Sequence, residues 1–210
     1  MEWYNLLVPE TRAYIRGVGF EPILGLLSER FASATLVQCL IDRWWDTTHT
    51  FHILEREITV TPYDFYCMTS LSFEGAIISL DDVLNIQHGL DMLGGKYSTE
   101  TIHNFDLVSD YMLLPRRTMK ERIWMAKAFL LHLLGAYLFA NGGQTVSLRW
   151  LTLFQDFVDA WRAKWGQACL AYLYCNFDTF SQGTLRQLVR PWKLLEVSFL
   201  SISYIFICSL

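Results

Sequence analysis

The fold is decided by two neighbouring stretches of sequence, Thr48-His49-Thr50-Phe51-His52-Ile53 and Glu57-Ile58-Thr59-Val60-Thr61-Pro62-Tyr63-Asp64. Their β-branched and aromatic residues predict two short strands. The mostly polar residues 54–57 between them predict a turn. We therefore expect one small β-hairpin near residues 50–60.

A capped helix is expected to follow this hairpin directly. Thr61 can accept a hydrogen bond from a backbone N–H of the first turn, and Pro62 suits the first helical position. Asp64 complements the positive end of the helix dipole. Phe65 and Met68 recur at helical spacing, so the helix has an apolar face.

The composition indicates a domain that is rich in core residues. The 210 residues include 52% hydrophobic, 15% aromatic and 18% charged residues, whereas an average soluble domain carries about 25% charged residues. A chain of this length can bury a substantial core as one domain or two small ones. Its net charge of -4 argues against a protein that coats nucleic acid by charge alone.

Amphipathic helices are predicted for most of the remaining sequence. After Ser33, which suits an N-cap, apolar residues recur at helical spacing from 36 to 44 and predict a helix that ends at the hairpin. A shorter helix is predicted to begin at Asp81-Asp82 and to stop at Gly94-Gly95. Acids then lie at its positive end and glycines follow its last turn.

The clearest helix signal begins at Thr118, which forms a capping-box pattern with Glu121. Apolar residues then recur at helical spacing as far as Asn141-Gly142-Gly143, where the helix is expected to end. Further helices are predicted from 150 to 161, from 165 to 177 and from 190 onward. The predicted fold class is mainly α, a helical domain with one small β-hairpin.

Several motifs, taken in order, resemble the signatures of the plant mobile domain family. They are Trp44 ahead of THTFH at 48–52, LLHLLGAYLF at 130–139, VSLRWL at 146–151 and WGQACLAYLY at 165–174. Order and spacing both agree, so the resemblance covers residues 10–197. We interpret this part as a plant mobile domain-like unit that is incomplete at its C-terminal end.

The resemblance implies a nuclear plant protein linked to the silencing of mobile elements, genome integrity and meristem maintenance. Some family members carry an aminotransferase-like label, and some are fused to a phosphatase. Pyridoxal phosphate chemistry needs a lysine beside a phosphate cradle, and a phosphatase of this type needs clustered metal ligands. Neither pattern accompanies Lys127, Lys164 or Lys193, for which a solvated or snorkelling side chain is expected. We therefore expect no enzyme activity and no cofactor.

Cysteine usage and the two ends of the chain indicate an intracellular location. Five cysteines without a C-x-x-C pair are typical of reduced thiols. The N-terminus shows no secretory signal, so we expect the nucleus by resemblance, or otherwise the cytoplasm. The apolar tail 198–210 is too short to cross a bilayer, so no membrane association is expected. We interpret it as read-through of a non-coding segment in a shortened member, whose missing part would cover apolar surface.

His49 and His52 are the best candidates for metal ligands. Residues three apart on a strand point to opposite faces, so the two side chains are not expected to chelate one ion. We expect a structural histidine that bonds across the hairpin turn. Cys169 and Cys175 lack the spacing of a zinc site. The stretch 89–97 superficially resembles a phosphate-binding loop, but a tyrosine replaces the magnesium-binding hydroxyl, and we expect a helix stop and a turn.

One basic cluster and a set of tryptophans offer contact surfaces. In the functional interpretation, Arg116, Arg117, Lys120 and Arg122 contact nucleic acid phosphates. In the simpler interpretation they belong to a solvated loop and helix start. The tryptophans fall mostly at helical core spacing, although exposed members would suit a protein interface.

The sequence therefore supports a non-enzymatic protein-interaction module with partners in the nucleus. The signature residues, expected to be mainly structural, are Trp44, His49, Phe51, His52, Arg149, Trp150, Trp165, Gly166 and Tyr172. Arg149 is expected to make a specific polar contact, because an arginine between Leu148 and Trp150 is costly unless it is paired. The alternatives are a nucleic-acid-binding domain derived from a mobile element and a non-functional truncated product.

Overall fold

A computed structural model describes residues 2–26, 34–53, 55–80, 86–115 and 117–183 of the chain. In chain order, the helices are α1 Glu2–Leu6, α2 Pro9–Gly17, α3 Glu21–Leu26, α4 Ala34–Ile41, α5 Pro62–Thr69, α6 Ile86–Asp91, α7 Asn104–Tyr111, α8 Met119–Leu133, α9 Phe157–Ala160 and α10 Trp165–Ser181. The strands are β1 Trp44–Trp45, β2 Thr50–Ile53, β3 Arg56–Ile58, β4 Thr101–His103 and β5 Thr145–Ser147. The described part of the chain is thus mainly α with small antiparallel sheets, which confirms the predicted fold class.

The expected hairpin is present and carries a third strand. β2 pairs with β3 so that Phe51 lies opposite Ile58, and β1 pairs with the other edge of β2 so that Trp44 lies opposite Phe51. The sequence placed Trp44 at the end of a helix, but α4 ends at Ile41. Aromatic residues suit strands, and the Trp44 ring packs on the Phe51 ring at a centroid distance of 4.8 Å. The stabilisation from burying Trp44 against Phe51 in the sheet exceeds that from extending α4 to Trp44.

The helix that follows the hairpin begins as predicted. The Asp64 N–H donates to Thr61 Oγ1 at 3.2 Å, and the Thr61 N–H donates to Asp64 Oδ2 at 3.0 Å. These two bonds form a capping box at the start of α5, with Pro62 at its first position. Phe65 is fully buried on the inner face of α5. The cap therefore fixes the direction in which α5 leaves the sheet.

Helix α8 is the centre of the core. The Glu121 N–H donates to Thr118 Oγ1 at 3.2 Å and the Thr118 N–H donates to Glu121 Oε2 at 2.8 Å, which confirms the predicted capping box. Every residue from 125 to 131 is buried. A helix that is buried on all sides needs neighbours on all sides. Helices α2 and α7 are among the elements that pack against α8.

A wide turn ends this central helix and joins it to a second sheet. Leu134–Leu138 continues α8 as a π-helical turn. Beside it, β4 pairs with β5, with Ile102 opposite Val146. A Cβ on Gly135 would lie 2.6 Å from both Asn104 Oδ1 and Val146 Cβ, so only glycine permits this approach. The second sheet was not expected from the sequence, because its strands are short and far apart in the chain.

The C-terminal part of the described chain differs in detail from the prediction. Instead of one helix from 150 to 161, a 3₁₀ helix spans Leu148–Phe154 and α9 follows it. The predicted helix from Trp165 is present as α10. Trp165 is almost fully buried, and its Nε1–H donates to the Ala160 carbonyl at 2.7 Å. This bond ties α9 to the start of α10.

Some predicted features fall outside the described residues. They are the N-cap at Ser33, the helix start at Asp81-Asp82, the helix from 190 onward and the apolar tail 198–210. Helix α6 ends close to the predicted stop, and Gly94 and Gly95 both have positive φ there. In the parts of the chain that the structure covers, no helix is long and apolar enough to cross a membrane.

Candidate functional site

Asp178 of α10 joins two residues of the THTFH signature region. Its Oδ1 accepts a hydrogen bond from Trp44 Nε1 at 2.8 Å, and its Oδ2 lies 3.2 Å from His49 Nε2. Trp44 is buried, whereas His49 is half-exposed in the turn between β1 and β2 with φ of 52°. A non-glycine residue with positive φ is uncommon and needs support from its surroundings. The His49 side chain receives that support from Asp178.

Tyr174, one turn before Asp178, holds the other end of the hairpin. Its hydroxyl donates to the Val60 carbonyl at 2.6 Å, and its ring stacks on His49 at a centroid distance of 5.4 Å. Burial, above all, raises the pKa of the Tyr174 hydroxyl. Thr59 Oγ1 donates to the His49 carbonyl at 2.7 Å. Helix α10 therefore fastens both the turn before β2 and the segment after β3.

Neither Asp178 nor Tyr174 was singled out from the sequence. Their spacing was available in the sequence, because they are residues with polar groups four apart in α10 and so share one face. The partners on the hairpin are more than a hundred residues away in the chain. Sequence spacing alone does not reveal such partners. The side-chain partner of His49 lies on α10, outside the hairpin.

His52 and Phe51 lie on opposite faces of the sheet. Phe51 is buried against Trp44 and against Phe177, whose ring centroid lies 5.3 Å away. The His52 ring packs on Trp45 at 4.2 Å, and its Nε2 lies 3.8 Å from Glu57 Oε1 on β3. In the described residues, no group of three or more His, Cys, Asp and Glu side chains could hold a metal ion.

Residues of the VSLRWL and WGQACLAYLY motifs connect the π-helical turn with the 3₁₀ helix and α10. Trp150 stacks on Phe139 at 4.7 Å, and the Tyr172 hydroxyl donates to the Ala140 carbonyl. Arg149 Nε donates to Glu100 Oε1 at 2.6 Å, beside β4. The specific polar contact of Arg149 is thus an ion pair within the chain. It links the 3₁₀ helix to the start of the second sheet.

Gly166 allows the start of α10 to approach the segment after α5. Its backbone N–H donates to the Ser72 carbonyl at 2.8 Å. A Cβ at this position would lie 2.6 Å from the Leu71 carbonyl oxygen and 2.5 Å from Phe73 Cε2. Real Cβ atoms essentially never approach a backbone oxygen so closely. The WG motif therefore combines a buried anchor, Trp165, with a point of close backbone contact.

The basic cluster does not form one patch of free cations in the described residues. Arg116 lies outside them. Arg117 and Lys120 are exposed at the start of α8. Arg122 lies 3.8 Å from Glu10 Oε1 on α2, so one acidic side chain offsets part of this charge.

The lysine and cysteine candidates are dispersed. Lys127 is only 8% exposed on α8, so its stem is buried, as a snorkelling lysine requires, and it is not fully solvated. Lys164 precedes α10, and its backbone N–H donates to the Ala76 carbonyl. Cys169 is buried and its thiol pKa is raised by burial. Cys175 is exposed, as are two further free cysteines in the described residues. Lys193 lies outside those residues.

An exposed aromatic cleft lies on α5, beside the contact between Gly166 and the segment after α5. Tyr63 is 74% exposed and Tyr66 is 51% exposed, and both lie beside Phe73 and Glu74 in a cleft of about 450 Å³. We call this feature the α5 cleft; Pro62 and Ser72 also line it. The two tyrosines fall off the apolar face of α5 at a spacing of three residues. That spacing is the sequence signal that could have identified them.

Comparison of the sequence with known proteins identifies the family of this chain. The sequence profile of the plant mobile domain matches residues 28–200. Arabidopsis thaliana relatives include Protein MAINTENANCE OF MERISTEMS, 29% identical over 79% of this chain, and Protein MAIN-LIKE 1, 30% identical over 75%. Serine/threonine-protein phosphatase 7 long form homolog, from the same plant, is 28% identical over 77% of this chain.

The matched region spans 36%, 33% and 13% of these three relatives, in that order. The chain therefore corresponds to a minor part of each of them. No solved structure matches it. The profile match covers most of the chain and includes every signature described above. The chain belongs to the plant mobile domain family.

Proposed function

We propose that this chain is a non-enzymatic protein-interaction module that acts in the nucleus, in mobile-element silencing and meristem maintenance. The observation that carries the proposal is the α5 cleft, where two tyrosines are exposed side by side on a capped helix. Tyrosine is enriched at protein interfaces because its ring buries a large area while its hydroxyl stays hydrogen-bonded. The proposed role in meristems is supported by the name of one relative, Protein MAINTENANCE OF MERISTEMS.

The signature residues have a structural role, which leaves the binding role to the α5 cleft. Trp44, Phe51 and Trp165 are buried, and Arg149 and Tyr172 have partners within the chain. Residues with these internal contacts hold the fold in place, and they do not themselves form the surface that a partner would contact. The α5 cleft sits on the same scaffold, since Gly166 packs directly on Phe73. A rigid support lowers the entropy lost when a partner binds.

The proposed occupant is a protein segment that inserts apolar side chains between Tyr63, Tyr66 and Phe73. Glu74 at the same cleft favours a partner with a basic residue at the rim, because opposite charges steer association. Each buried aromatic contact of this kind contributes about 1–2 kcal/mol or more to binding. Loss of both tyrosines is therefore expected to weaken binding by roughly a hundredfold.

The proposal is tested by affinity capture of the tagged chain from plant nuclei, with bound proteins identified by mass spectrometry and bound nucleic acid by sequencing. The test variant is Tyr63→Ala with Tyr66→Ala. The matched control is Phe105→Ala, which removes another highly exposed ring on α7. We expect a reproducible set of proteins that is lost with the double variant and kept with the control.

Two results would overturn the proposal. The first is a set of captured proteins that does not change in the double variant. The second is capture of nucleic acid that weakens steeply with salt and falls further when Arg117 and Lys120 are neutralised, which would support the nucleic-acid-binding alternative. A correctly folded double variant, checked by circular dichroism, excludes loss of structure as the cause.

A further inference from the structure

A second cleft, separate from the α5 cleft, lies between α2, α8 and α9. Its volume is about 590 Å³, and its walls include Tyr14, Ile123, Lys127, Phe157 and Trp161. Small-molecule sites usually have volumes of about 300–1,000 Å³ and combine apolar walls with a few polar groups. We call this feature the Lys127 cleft. Its size and composition fall within that range.

Lys127 is the unusual member of this cleft. The residue is 8% exposed, yet among the described residues no hydrogen bond or ion pair engages its Nζ. Its nearest favourable contact is the Phe157 ring, whose centroid lies 5.9 Å from Nζ. The aliphatic stem of Lys127 is buried, and its Nζ is not among the buried side-chain atoms without a hydrogen-bond partner, so the ammonium faces the open cleft. Burial lowers the pKa of Lys127, as expected for an amine without a counter-charge.

The walls around Lys127 are flat and aromatic. Tyr14 packs on Phe157 with ring centroids 4.8 Å apart, and Trp161 remains 52% exposed beside them. Asp156 also lines the cleft, but it is exposed to solvent, where water weakens its field at Lys127. The site thus offers one cationic donor, on a largely buried side chain, next to aromatic faces. A complementary ligand carries one anionic group on a flat apolar body.

We propose that the Lys127 cleft binds a small organic anion, with the anionic group on Lys127 Nζ and a flat ring against Phe157 and Trp161. The anion supplies a counter-charge in direct contact with Nζ, whereas Asp156 lines the same cleft without an ion pair to Lys127. A charge-assisted hydrogen bond in a partly desolvated site is worth about tenfold or more in affinity. This site is independent of the proposed protein-interaction surface.

The test compares two probes of similar shape, naphthoate and its neutral analogue naphthalenemethanol, by calorimetry and by NMR titration of the whole chain. We expect naphthoate to bind about tenfold or more tightly than the alcohol. Lys127→Met should abolish this preference while it leaves binding of the alcohol unchanged. Lys120→Met, an exposed lysine on the same helix, should keep the full preference.

A second readout does not depend on how the Lys127→Met variant folds. Naphthoate should slow reductive methylation of Lys127 in the unaltered chain, and naphthalenemethanol should not. Equal affinity for the two probes, no binding of either, or a preference that survives Lys127→Met in a folded protein would each overturn the proposal. Perturbed NMR signals that map to the α5 cleft instead of Tyr14 and Phe157 would also overturn it.

Discussion

At the scale of single residues, Asp178 shows how one carboxylate can stabilise a distant signature. Replacement by alanine leaves the buried Trp44 indole N–H without an acceptor and removes the partner of His49. An unsatisfied buried donor costs about 1–3 kcal/mol. We expect Asp178→Ala to lower the free energy of unfolding by that amount, as measured by urea denaturation.

The matched variants for this prediction are Asp178→Asn and Asp46→Ala. Asparagine keeps an oxygen that accepts from Trp44, so its effect should be smaller than that of alanine. Asp46 accepts from Gln182 at the surface, and its loss should change the unfolding free energy by less than about 0.5 kcal/mol. Equal losses for Asp178→Ala and Asp46→Ala would contradict this role of Asp178.

Gly166 gives a second test at the residue scale. In Gly166→Ala the new methyl group would meet the Leu71 carbonyl oxygen, which belongs to the backbone and cannot rotate away. Overpacking of this kind costs about 1–3 kcal/mol. Gly25→Ala is the control, because it lies in α3 with no atom within 4 Å of the added Cβ. A thermal melt should show a lower Tm for Gly166→Ala only.

His132 should make stability depend on pH. It lies between the rings of Trp3 and Tyr137, and burial lowers its pKa from 6.5 to about 4. The unfolded chain takes up a proton on this imidazole at a higher pH than the native chain does, so stability falls as pH drops from about 6.5 towards about 4. We expect a loss of about 2–3 kcal/mol between roughly pH 7.5 and pH 4.5.

The measurement for this prediction is urea denaturation across that pH range, with His132→Gln as the comparison. The variant removes the titrating group, so its acid-induced loss should be smaller by the same amount. A variant whose stability has the same pH dependence as the unaltered chain would show that His132 is not responsible.

Single residues also mark the limit of what the sequence reveals about the site. The signature residues themselves could be named from their motifs, including Gly166 and Arg149. The partners of these residues could not be named from the sequence. Asp178 and Glu100 belong to no recognisable pattern, and only the fold brings them to His49 and Arg149. The cleft around Lys127 could not be predicted for the same reason, since its neighbours there come from α2 and α9.

At the scale of elements, local signals were reliable where a cap defined the boundary. The N-cap at Thr61 and the capping box at Thr118 were predicted and are present, and Thr61 also forms a capping box with Asp64. The elements that were missed depend on pairing with another strand: β1 pairs with the nearby β2, and β4 pairs with the distant β5. The spacing of apolar residues in the sequence carries no information about a partner strand, so the boundaries of these strands could not be predicted.

The capping box of α5 provides the prediction at this scale. Thr61→Ala removes the oxygen that accepts from the Asp64 N–H and should cost about 1 kcal/mol of unfolding free energy. Thr47→Ala, in the exposed turn before β2, is the matched control and should have little effect. Hydrogen exchange should be faster in the first turn of α5 in the Thr61 variant alone; uniform exchange rates would argue against the cap.

At the scale of the whole molecule, the signatures build a scaffold and the surface between them carries the proposed function. The sequence predicted the family and the fold class, because both depend on motifs that are contiguous in the chain. It did not predict the α5 cleft, which requires the segment 71–74 to fold back beside α5. A binding surface of this kind is a product of tertiary structure.

The most direct test of the interaction proposal is site-specific photo-crosslinking in plant nuclear extract. Photo-reactive benzoylphenylalanine is placed at Tyr63 in one protein and at Phe105 in another. We expect a discrete, saturable protein adduct from Tyr63, competed by the unaltered chain but not by the Tyr63→Ala, Tyr66→Ala variant, and no such adduct from Phe105. Equal adducts from both positions, or none from Tyr63, would contradict it.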